Sequence, residues 1–258
     1  MADTVIAAQL YTVRAFTKTP AEFARAIEKI RKIGYRAVQP SGHGPIDPGE
    51  LKKILDDNGL VCCATHESYA RFTGELDRLI EDHRRWGCAY PGIGSLPKVL
   101  RTAAGYLEFA RQFDKIGERL TAAGMTFLYH NHDQEFMRLE GKLPMDIIME
   151  NSNPRHIAME IDTHWVQRGG GDPAAWIAKC GRRGPAPVIH LKDYAVNPAD
   201  GAPAFAEVGA GNLNWPAILA AAKAAGVEWY IVEQDTCPGD PFDSLKISYD
   251  NLLRFGLT

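Results

Sequence analysis

Short apolar runs alternate with longer amphipathic stretches along the whole chain. The apolar runs have the length and composition of buried strands, and the stretches between them repeat their apolar residues with the helical period. Eight strands are predicted at residues 5–11, 35–39, 60–66, 88–93, 125–132, 156–162, 188–192 and 229–233. Eight helices are predicted at residues 20–33, 48–58, 74–86, 103–123, 144–151, 173–180, 215–225 and 241–255.

Glycine and proline mark many of the predicted helix boundaries. Gly34, Gly59, Gly124 and Gly226 each follow a helical stretch and precede an apolar run, where a left-handed residue typically ends a helix. Proline opens several helices, at the position where its missing N–H is harmless. These boundaries support a regular alternation of strands and helices.

Eight strands alternating with eight helices in 258 residues predict a single (β/α)8 TIM barrel of the α/β class, spanning residues 1–258. The alternative is an open, doubly wound sheet that binds a dinucleotide, but no glycine-rich phosphate-binding loop follows the first strand. Gly92-x-Gly94 and Gly209-x-Gly211 lack the third glycine, so they are interpreted as turns. No linker or shift in composition divides the chain, which predicts one domain without dinucleotide-binding residues.

The composition is typical of a globular protein, with 45% hydrophobic residues, 24% charged residues and a net charge of -3. This slight acidity predicts neither a nucleic-acid partner nor an anionic membrane surface. The start Met1-Ala2-Asp3-Thr4 lacks the cationic residues of a signal peptide, and no apolar run approaches about 18 residues. The cysteines form no CxxC pair, which predicts buried free thiols in the reducing cytoplasm. They are Cys62, Cys63, Cys88, Cys180 and Cys237.

The fifth predicted strand ends in a cluster of polar residues, Tyr129-His130-Asn131-His132-Asp133-Gln134-Glu135-Phe136. Such groups are costly to bury unless they pair, form hydrogen bonds or bind a metal. In a TIM barrel, the carboxyl ends of the strands carry the chemistry. The run therefore indicates a functional site that holds a divalent cation.

Polar residues also end the three later strands. Residues two apart share one face of a strand, so each of these strands presents a pair of polar groups to the same side. The pairs are Glu160 with Asp162, His190 with Lys192, and Glu233 with Asp235. Carboxylates and imidazoles converging from neighbouring strands suit Mn²⁺, Mg²⁺, Co²⁺ or Zn²⁺.

Several of these residues also have a purely structural interpretation. Asp162 precedes Thr163-His164-Trp165 and would also serve as a helix cap, and His190 would also serve as a hydrogen-bonded core histidine. For His66, the structural and the functional interpretation are equally open. Four aromatic residues either line a sugar-binding mouth or pack in the core: Tyr11, Phe136, Trp165 and Trp215.

The order of these motifs resembles the sugar phosphate isomerase/epimerase family, which has the xylose isomerase-like TIM barrel. The resemblance covers nearly the whole chain and is specific to the superfamily, which includes ketose 3-epimerases, hydroxypyruvate isomerase and inosose dehydratase. Besides the strand-five run, it rests on Gln9-Leu10-Tyr11-Thr12-Val13-Arg14, Asp162-Thr163-His164-Trp165, His190-Leu191-Lys192-Asp193, Gly209-Ala210-Gly211-Asn212-Leu213-Asn214-Trp215 and Val232-Glu233-Gln234-Asp235.

The resemblance implies one divalent metal ion, foremost Mn²⁺, bound by Glu, Asp, His and Glu from strands five to eight. Asp162, His190 and Glu233 match the last three ligands. The glutamate of strand five is missing, and the nearest carboxylate is that of Glu135, just past the strand. Either Glu135 binds the metal, or a histidine of the same run, His130 or His132, replaces the glutamate.

The resemblance also implies a sugar or keto-sugar substrate that loses an α-proton to give an enediolate. Glu233 is the predicted base on one side, with Glu135, His132 or His130 on the other. Lys192 or His66 would orient substrate oxygens. Because imidazole titrates near neutral pH, these histidines also favour proton delivery to a leaving hydroxyl.

An isomerase or epimerase is therefore the first prediction. A dehydratase or lyase acting on an inosose or a 3-keto-sugar is the alternative, because it shares the first step. Less favoured are a non-catalytic sugar-binding barrel and an endonuclease IV-like nuclease, which would need more metal ligands and a basic surface. Barrels of this kind often pair, so a homo-oligomer is also expected.

Overall fold

The structure, a computed structural model, describes residues 5–257, and its frame is a barrel of parallel strands. The N-terminal Met1-Ala2-Asp3-Thr4, discussed above in relation to a signal peptide, lies outside the described residues. The strands are β1 Val5–Gln9, β2 Ala37–Gln39, β3 Val61–Cys62, β4 Thr65–Glu67, β5 Pro91–Ile93, β6 Phe127–His130, β7 Ile157–Asp162, β8 Val188–Leu191, β9 Asp193–Val196, β10 Pro203–Ala206 and β11 Trp229–Val232. The barrel order is β3-β2-β1-β11-β8-β7-β6-β5-β4, while β9 and β10 form a separate antiparallel hairpin.

Strands β3 and β4 are two halves of one predicted strand, and together they close the barrel. Strand β3 pairs with β2, and β4 pairs with β5. The ladder changes partner between them: Cys63 N donates to Val38 O at 3.0 Å, and Thr65 N donates to Tyr90 O at 3.1 Å. A further bond from His66 N to Pro40 O, at 3.1 Å, keeps the upper half attached to the β2 side. The predicted (β/α)8 barrel is confirmed, with strand 60–66 interrupted where it changes partner.

Helices follow the strands and cover the outside of the barrel. The helices are α1 Pro20–Ile33, α2 Pro48–Asp57, α3 Tyr69–Gly74, α4 Leu76–Trp86, α5 Ala103–Ala122, α6 Pro144–Glu150, α7 Thr163–Arg168, α8 Pro173–Arg183, α9 Trp215–Ala224 and α10 Pro241–Arg254. The sequence pattern did not predict α3 and α7, because six residues are too few to show a helical period. Within residues 5–257, none of these helices is long and apolar enough to span a membrane.

Small apolar side chains fill the lower part of the barrel interior. Ala7, Ala37, Ala158, Val188 and Ile231 belong to this cluster and are at most 1% exposed. A second, larger cluster joins the barrel to the surrounding helices. All five cysteines are free thiols, of which four are buried and one is partly exposed. Small residues at this level let the strands close tightly and leave the polar residues above them as the upper layer of the barrel.

The buried carboxylate of Asp193 holds the hairpin and the loop that follows it. It accepts hydrogen bonds from Gly209 N at 2.8 Å, Gly211 N at 3.0 Å and Trp215 Nε1 at 2.6 Å. A Cβ on Gly211 would lie 2.5 Å from Asp193 Oδ1, so this position requires glycine. The turn predicted at Gly209-x-Gly211 is present here. The turn predicted at Gly92-x-Gly94 is wrong, because Gly92 lies inside β5.

His83, on α4, is a buried histidine outside the barrel interior. Its ring nitrogens lie 2.7 Å from Thr65 Oγ1 and 2.7 Å from Leu79 O. Burial lowers the pKa of His83 to about 4, so folding disfavours its protonated form.

We therefore expect the folded state to lose stability through His83 as pH falls below the ordinary histidine pKa of about 6.5. Between pH 7 and pH 5, this loss amounts to about 2 kcal/mol, and it levels off below pH 4. Urea unfolding of the wild type and of His83→Gln across this range measures it, since glutamine retains a donor and an acceptor but does not titrate. Equal pH dependence in both proteins would contradict this assignment.

Candidate active site

On six barrel strands, an apolar side chain that faces inward is followed, two residues later along the strand, by a polar side chain that also faces inward. On β1, Ala7 is followed by Gln9, and on β7, Ala158 is followed by Glu160. Because side chains alternate along a strand, the new polar groups lie one layer above the apolar cluster, toward the carboxyl ends. This polar layer consists of Gln9, Gln39, His130, Glu160, His190 and Glu233, each at most 5% exposed.

Glu160 lies at the centre of a hydrogen-bond network in this layer. Its Oε1 accepts a hydrogen bond from Gln39 Nε2 at 2.8 Å, and its Oε2 lies 2.6 Å from His66 Nε2. Gln39 Oε1 accepts a hydrogen bond from Gln9 Nε2 at 2.8 Å and lies 2.6 Å from His190 Nε2. The network therefore joins side chains of β1, β2 and β4 to side chains of β7 and β8.

Four side chains from four strands form a group with metal-ligand character. Each contributes one nitrogen or oxygen atom, and all four atoms lie within 4.8 Å of one another: His130, Asp162, His190 and Glu233. His190 Nδ1 is 2.8 Å from Glu233 Oε2 and 3.9 Å from Asp162 Oδ2. His130 Nε2 is 4.0 Å from the same Asp162 oxygen. A single ion between these atoms would contact two imidazoles and two carboxylates.

The ammonium of Lys192 lies among the carboxylates of this group. Its Nζ is 3.0 Å from Asp162 Oδ2, 2.9 Å from Glu233 Oε2 and 3.2 Å from Asp235 Oδ2. Although burial lowers the pKa of Lys192, these carboxylates outweigh it and raise that pKa. Lys192 is therefore a permanent positive charge that partly neutralises the acidic residues at the barrel mouth.

Burial and neighbouring charges together set the ionisation of three members of the group. Although burial lowers the pKa of His190, the carboxylates of Glu160 and Glu233 raise it to about 10. Burial raises the pKa of Glu233, but Lys192 and His190 hold that pKa well below its ordinary value. Burial raises the pKa of Asp162 to about 7. The site therefore holds an ionised Glu233 and a second carboxyl that a cation would readily ionise.

Unpaired buried atoms show that the group is suited to a divalent cation. Within the described part of the chain, Asp162 Oδ2 is buried without a hydrogen-bond partner, although Lys192 forms an ion pair with it. His130 Nδ1 is also unpaired, on the edge of the ring that faces Glu160 Oε2 at 3.6 Å. Buried polar atoms are rarely left unpaired, because the lost hydration is costly. Two imidazoles and two carboxylates are also ligands that Mn²⁺ and Zn²⁺ accept. The residues present therefore fit the metal that the sequence predicts.

Glu135, one of the predicted metal ligands, lies apart from this group. Its Oε1 accepts hydrogen bonds from Tyr106 at 2.8 Å and from Tyr129 at 3.0 Å, and its Oε2 accepts one from His132 N at 2.7 Å. Burial raises the pKa of Glu135, and these donors act against that rise. In this position, Glu135 fixes the turn after β6, whereas His130 joins the metal-ligand group.

A cavity of about 480 Å³ opens above the group at the carboxyl end of the barrel. Five of the predicted site residues line it: His66, His130, His132, Lys192 and Glu233. The position of His66 depends on a close approach to β5, since a Cβ on Gly94 would lie 2.8 Å from its Nδ1. The structure thus brings the predicted catalytic residues, other than Glu135, to one cavity.

Aromatic residues line the same cavity. Tyr11, Trp165 and Phe205 contribute to its wall, and Phe205 is carried by the β9–β10 hairpin. Two other aromatic candidates lie elsewhere. Trp215 is buried and bonded to Asp193, and Phe136 packs edge-on against a tryptophan at a ring distance of 5.2 Å. The aromatic wall suits the apolar face of a sugar ring.

Sequence reasoning missed Glu160, Gln39 and Gln9 as functional-site residues. Glu160 was paired with Asp162 as a strand-end group but was not assigned a role. The useful signal was present in Ala158-Met159-Glu160-Ile161-Asp162, where a fully buried strand carries two acids on one face. A buried carboxylate in the middle of a strand needs partners from other strands, and the sequence does not show which strands supply them.

Comparisons with known proteins agree with this architecture. Residues 27–248 match the sequence model of the xylose isomerase-like TIM barrel family. No curated protein matches the chain in sequence.

Solved structures share the fold at low sequence identity. A sugar phosphate isomerase/epimerase from Parabacteroides distasonis is similar with a TM-score of 0.79 and 23% identity, over 97% of this chain and 98% of that one. A xylose isomerase-like TIM barrel protein from Mycobacterium smegmatis, in complex with magnesium, has a TM-score of 0.74 and 15% identity, over 99% and 98%. An L-ribulose 3-epimerase has a TM-score of 0.73 and 16% identity, over 98% and 94%.

The matched segment includes every strand that contributes to the metal-ligand group, and the predicted resemblance is confirmed. The chain belongs to the xylose isomerase-like TIM barrel family.

Proposed function

We propose that this protein is a divalent-metal-dependent isomerase or epimerase that acts on a sugar or keto-sugar. The observation that carries the proposal is the meeting of His130, Asp162, His190 and Glu233 beneath a cavity with an aromatic wall. The printed functions of two structural neighbours, a sugar phosphate isomerase/epimerase and an L-ribulose 3-epimerase, support the same substrate class. Location in the cytoplasm and self-association stay predictions.

The cation would be held by His130, Asp162, His190 and Glu233, with Mn²⁺ as the first choice. His130 is proposed as the strand-five ligand, because its Nε2 faces Asp162 Oδ2 at 4.0 Å whereas the oxygens of Glu135 already accept hydrogen bonds. When bound there, such an ion supplies a Lewis acid that polarises a substrate carbonyl and stabilises the negative charge that develops on its oxygen.

Glu233 is the proposed base that removes the α-proton from the substrate. Its carboxylate lines the cavity, and it is ionised because Lys192 and His190 oppose the effect of burial on its pKa. The ammonium of Lys192, at 2.9 Å from Glu233, is placed to orient a substrate oxygen next to this base. Proton removal at this position would give the enediolate that both isomerisation and epimerisation require.

A second proton-transfer group is proposed just past the end of β6, which is three strands away from β11 in the barrel order. His132 lines the cavity, and burial together with Lys192 lowers its pKa to about 3, so the ring is neutral. Its Nδ1 is buried without a partner in the described residues. A neutral imidazole with a free nitrogen accepts a proton from substrate, and its protonated form returns one. His66, at the edge of the same cavity, would orient a substrate hydroxyl.

One observation favours a second candidate, the dehydratase or lyase. The β6 side of the cavity presents the imidazoles of His130 and His132, and the carboxylate of Glu135 is directed away from it. After the same α-proton is removed, a protonated imidazole on this side would deliver its proton to a departing β-hydroxyl. The two candidates therefore differ only in the second step.

Incubation with Mn²⁺ and a panel of ketoses, 3-keto-sugars and inosose in deuterated water tests the proposal. We expect NMR to show deuterium at an α-carbon, followed by isomerised or epimerised product. Loss of water without epimerisation would select the lyase. If a sugar binds but no member of the panel exchanges its α-proton, the proposed enzyme activity is wrong and a non-catalytic binding barrel takes its place.

A further inference from the structure

We propose that Glu160 is a positioning residue that, together with Gln39, fixes the ring of His190 for metal binding. The inference rests on the metal site proposed above. Glu160 does not line the cavity, and it is fully buried in the same polar layer as His130 and His190. It therefore acts on the cation through its neighbours.

The hydrogen bond that Gln9 accepts from the backbone fixes the direction of the other hydrogen bonds in the network. Tyr11 N donates to Gln9 Oε1 at 3.2 Å, so Gln9 Nε2 is the atom that donates to Gln39 Oε1. Gln39 is thereby fixed with its Oε1 toward His190 and its Nε2 toward Glu160. Because Gln39 Oε1 can only accept, His190 Nε2 must carry a hydrogen.

This arrangement makes Nδ1 of His190 the nitrogen that would bind the cation, with loss of the proton that it shares with Glu233. His190 Nε2 lies 2.6 Å from Gln39 Oε1 and 3.2 Å from Glu160 Oε1, whereas Nδ1 faces Asp162 and Glu233. Metal-binding histidines generally donate their second N–H to a carboxylate or carbonyl, which fixes the tautomer and the ring orientation. Glu160 and Gln39 together provide this support.

The sheet register places Glu160 beside the strand-five position. Glu160 on β7 is the direct register partner of His130 on β6. Compared with the Glu, Asp, His and Glu ligands that the family resemblance implies, this chain has lost a carboxylate from β6 and holds one at the same level on the adjacent strand. A carboxyl group therefore remains beside the strand position from which the family ligand is missing.

Glu160 also belongs to a second group of potential ligand atoms, together with His66, His130 and His190. Direct coordination by Glu160 is nevertheless disfavoured, because both of its oxygens are already used. Oε1 accepts from Gln39, and Oε2 lies 2.6 Å from His66 Nε2. The unpaired Oδ2 of Asp162, by contrast, belongs to the metal-ligand group.

The substitution Glu160→Gln tests this role, because the amide keeps the volume but must present an N–H to one of its partners. If the N–H faces His66, the ring of His66 has to change tautomer. If it faces His190 and Gln39, these two side chains have to rearrange, and the ring of His190 loses the support that fixes Nδ1 for the cation. We expect Mn²⁺ affinity, measured by calorimetry on the metal-free protein, to fall about 10- to 100-fold. The absorption spectrum of the Co²⁺ complex should indicate the same coordination number for the variant as for the wild type. Glu207→Gln, a half-buried glutamate bonded to Ser244 at 2.7 Å outside the site, is the control and should bind like the wild type.

Two results would overturn the positioning role. Unchanged Mn²⁺ affinity in Glu160→Gln, even with a lower melting temperature, would mean that the residue only stabilises the barrel. A loss beyond about 1000-fold with a changed Co²⁺ coordination number would mean that Glu160 is itself a ligand, since outer contacts have smaller effects. If the wild type binds neither Mn²⁺ nor Co²⁺, the proposed metal site fails first, and this outcome is distinct from both.

Discussion

We expect Glu233→Gln to reduce α-proton exchange in deuterated water by at least about 1000-fold while leaving the barrel folded. General bases contribute rate factors of about 100 to 10,000, and Glu233 is also a proposed ligand of the cation that polarises the substrate. The amide cannot accept the α-proton, and it cannot replace the carboxylate that faces Lys192 at 2.9 Å and His190 at 2.8 Å. NMR exchange rates at saturating Mn²⁺, together with thermal unfolding, separate lost chemistry from lost folding.

The matched control lies at the other end of the same strand. Glu228 immediately precedes β11 at the opposite barrel mouth, where it is exposed and accepts a hydrogen bond from Tyr90 at 2.9 Å. Glu228→Gln should exchange the α-proton at the wild-type rate. Wild-type exchange in a folded Glu233→Gln protein would rule out Glu233 as the base and transfer that role to a histidine of β6.

The second large effect concerns metal-dependent stability. A ligand present at 1000 times its dissociation constant stabilises the folded state by about 4 kcal/mol. We expect Mn²⁺ at that excess to stabilise the wild type by this amount and Asp162→Asn by almost nothing. Asparagine removes one of the two carboxylates of the site, yet its side-chain oxygen still accepts the hydrogen bond from Trp165 N that caps α7. Urea unfolding with and without Mn²⁺ measures the difference.

Asp172→Asn is the corresponding control, because Asp172 caps α8 by accepting hydrogen bonds from Ala174 N and Ala175 N. It makes the same chemical change at a helix cap outside the site. This variant should keep the full stabilisation by Mn²⁺. If Asp162→Asn also keeps it, Asp162 is not a ligand, and its role is limited to the cap that the sequence offered as an alternative.

The architecture was predictable because local signals repeat along the chain. Glycines with positive φ end helices at Gly34, Gly59, Gly124 and Gly226, as predicted. What the local signals missed depends on partners far away in sequence. Strand 60–66 is interrupted because it changes its neighbouring strand. The β9–β10 hairpin begins at Asp193, whose buried carboxylate accepts hydrogen bonds from residues 209–215.

The candidate site was only partly predictable for the same reason. Asp162, His190 and Glu233 stood out because acids and histidines at buried strand ends have few structural roles. The proposal of His130 rather than Glu135 as a ligand rests in part on Tyr106, a residue of α5 whose hydroxyl donates to Glu135 at 2.8 Å, and no sequence pattern links Tyr106 to Glu135. Glu160 was overlooked because its partners, Gln39 and His66, come from the other side of the barrel.

Crystals grown with Mn²⁺ and measured at the manganese absorption edge test the central claim most directly. We predict one anomalous peak within about 2.0–2.6 Å of atoms from His130, Asp162, His190 and Glu233, with the oxygens of Glu135 outside coordination distance. A peak coordinated by Glu135, or no peak among these four residues at saturating Mn²⁺, would contradict it.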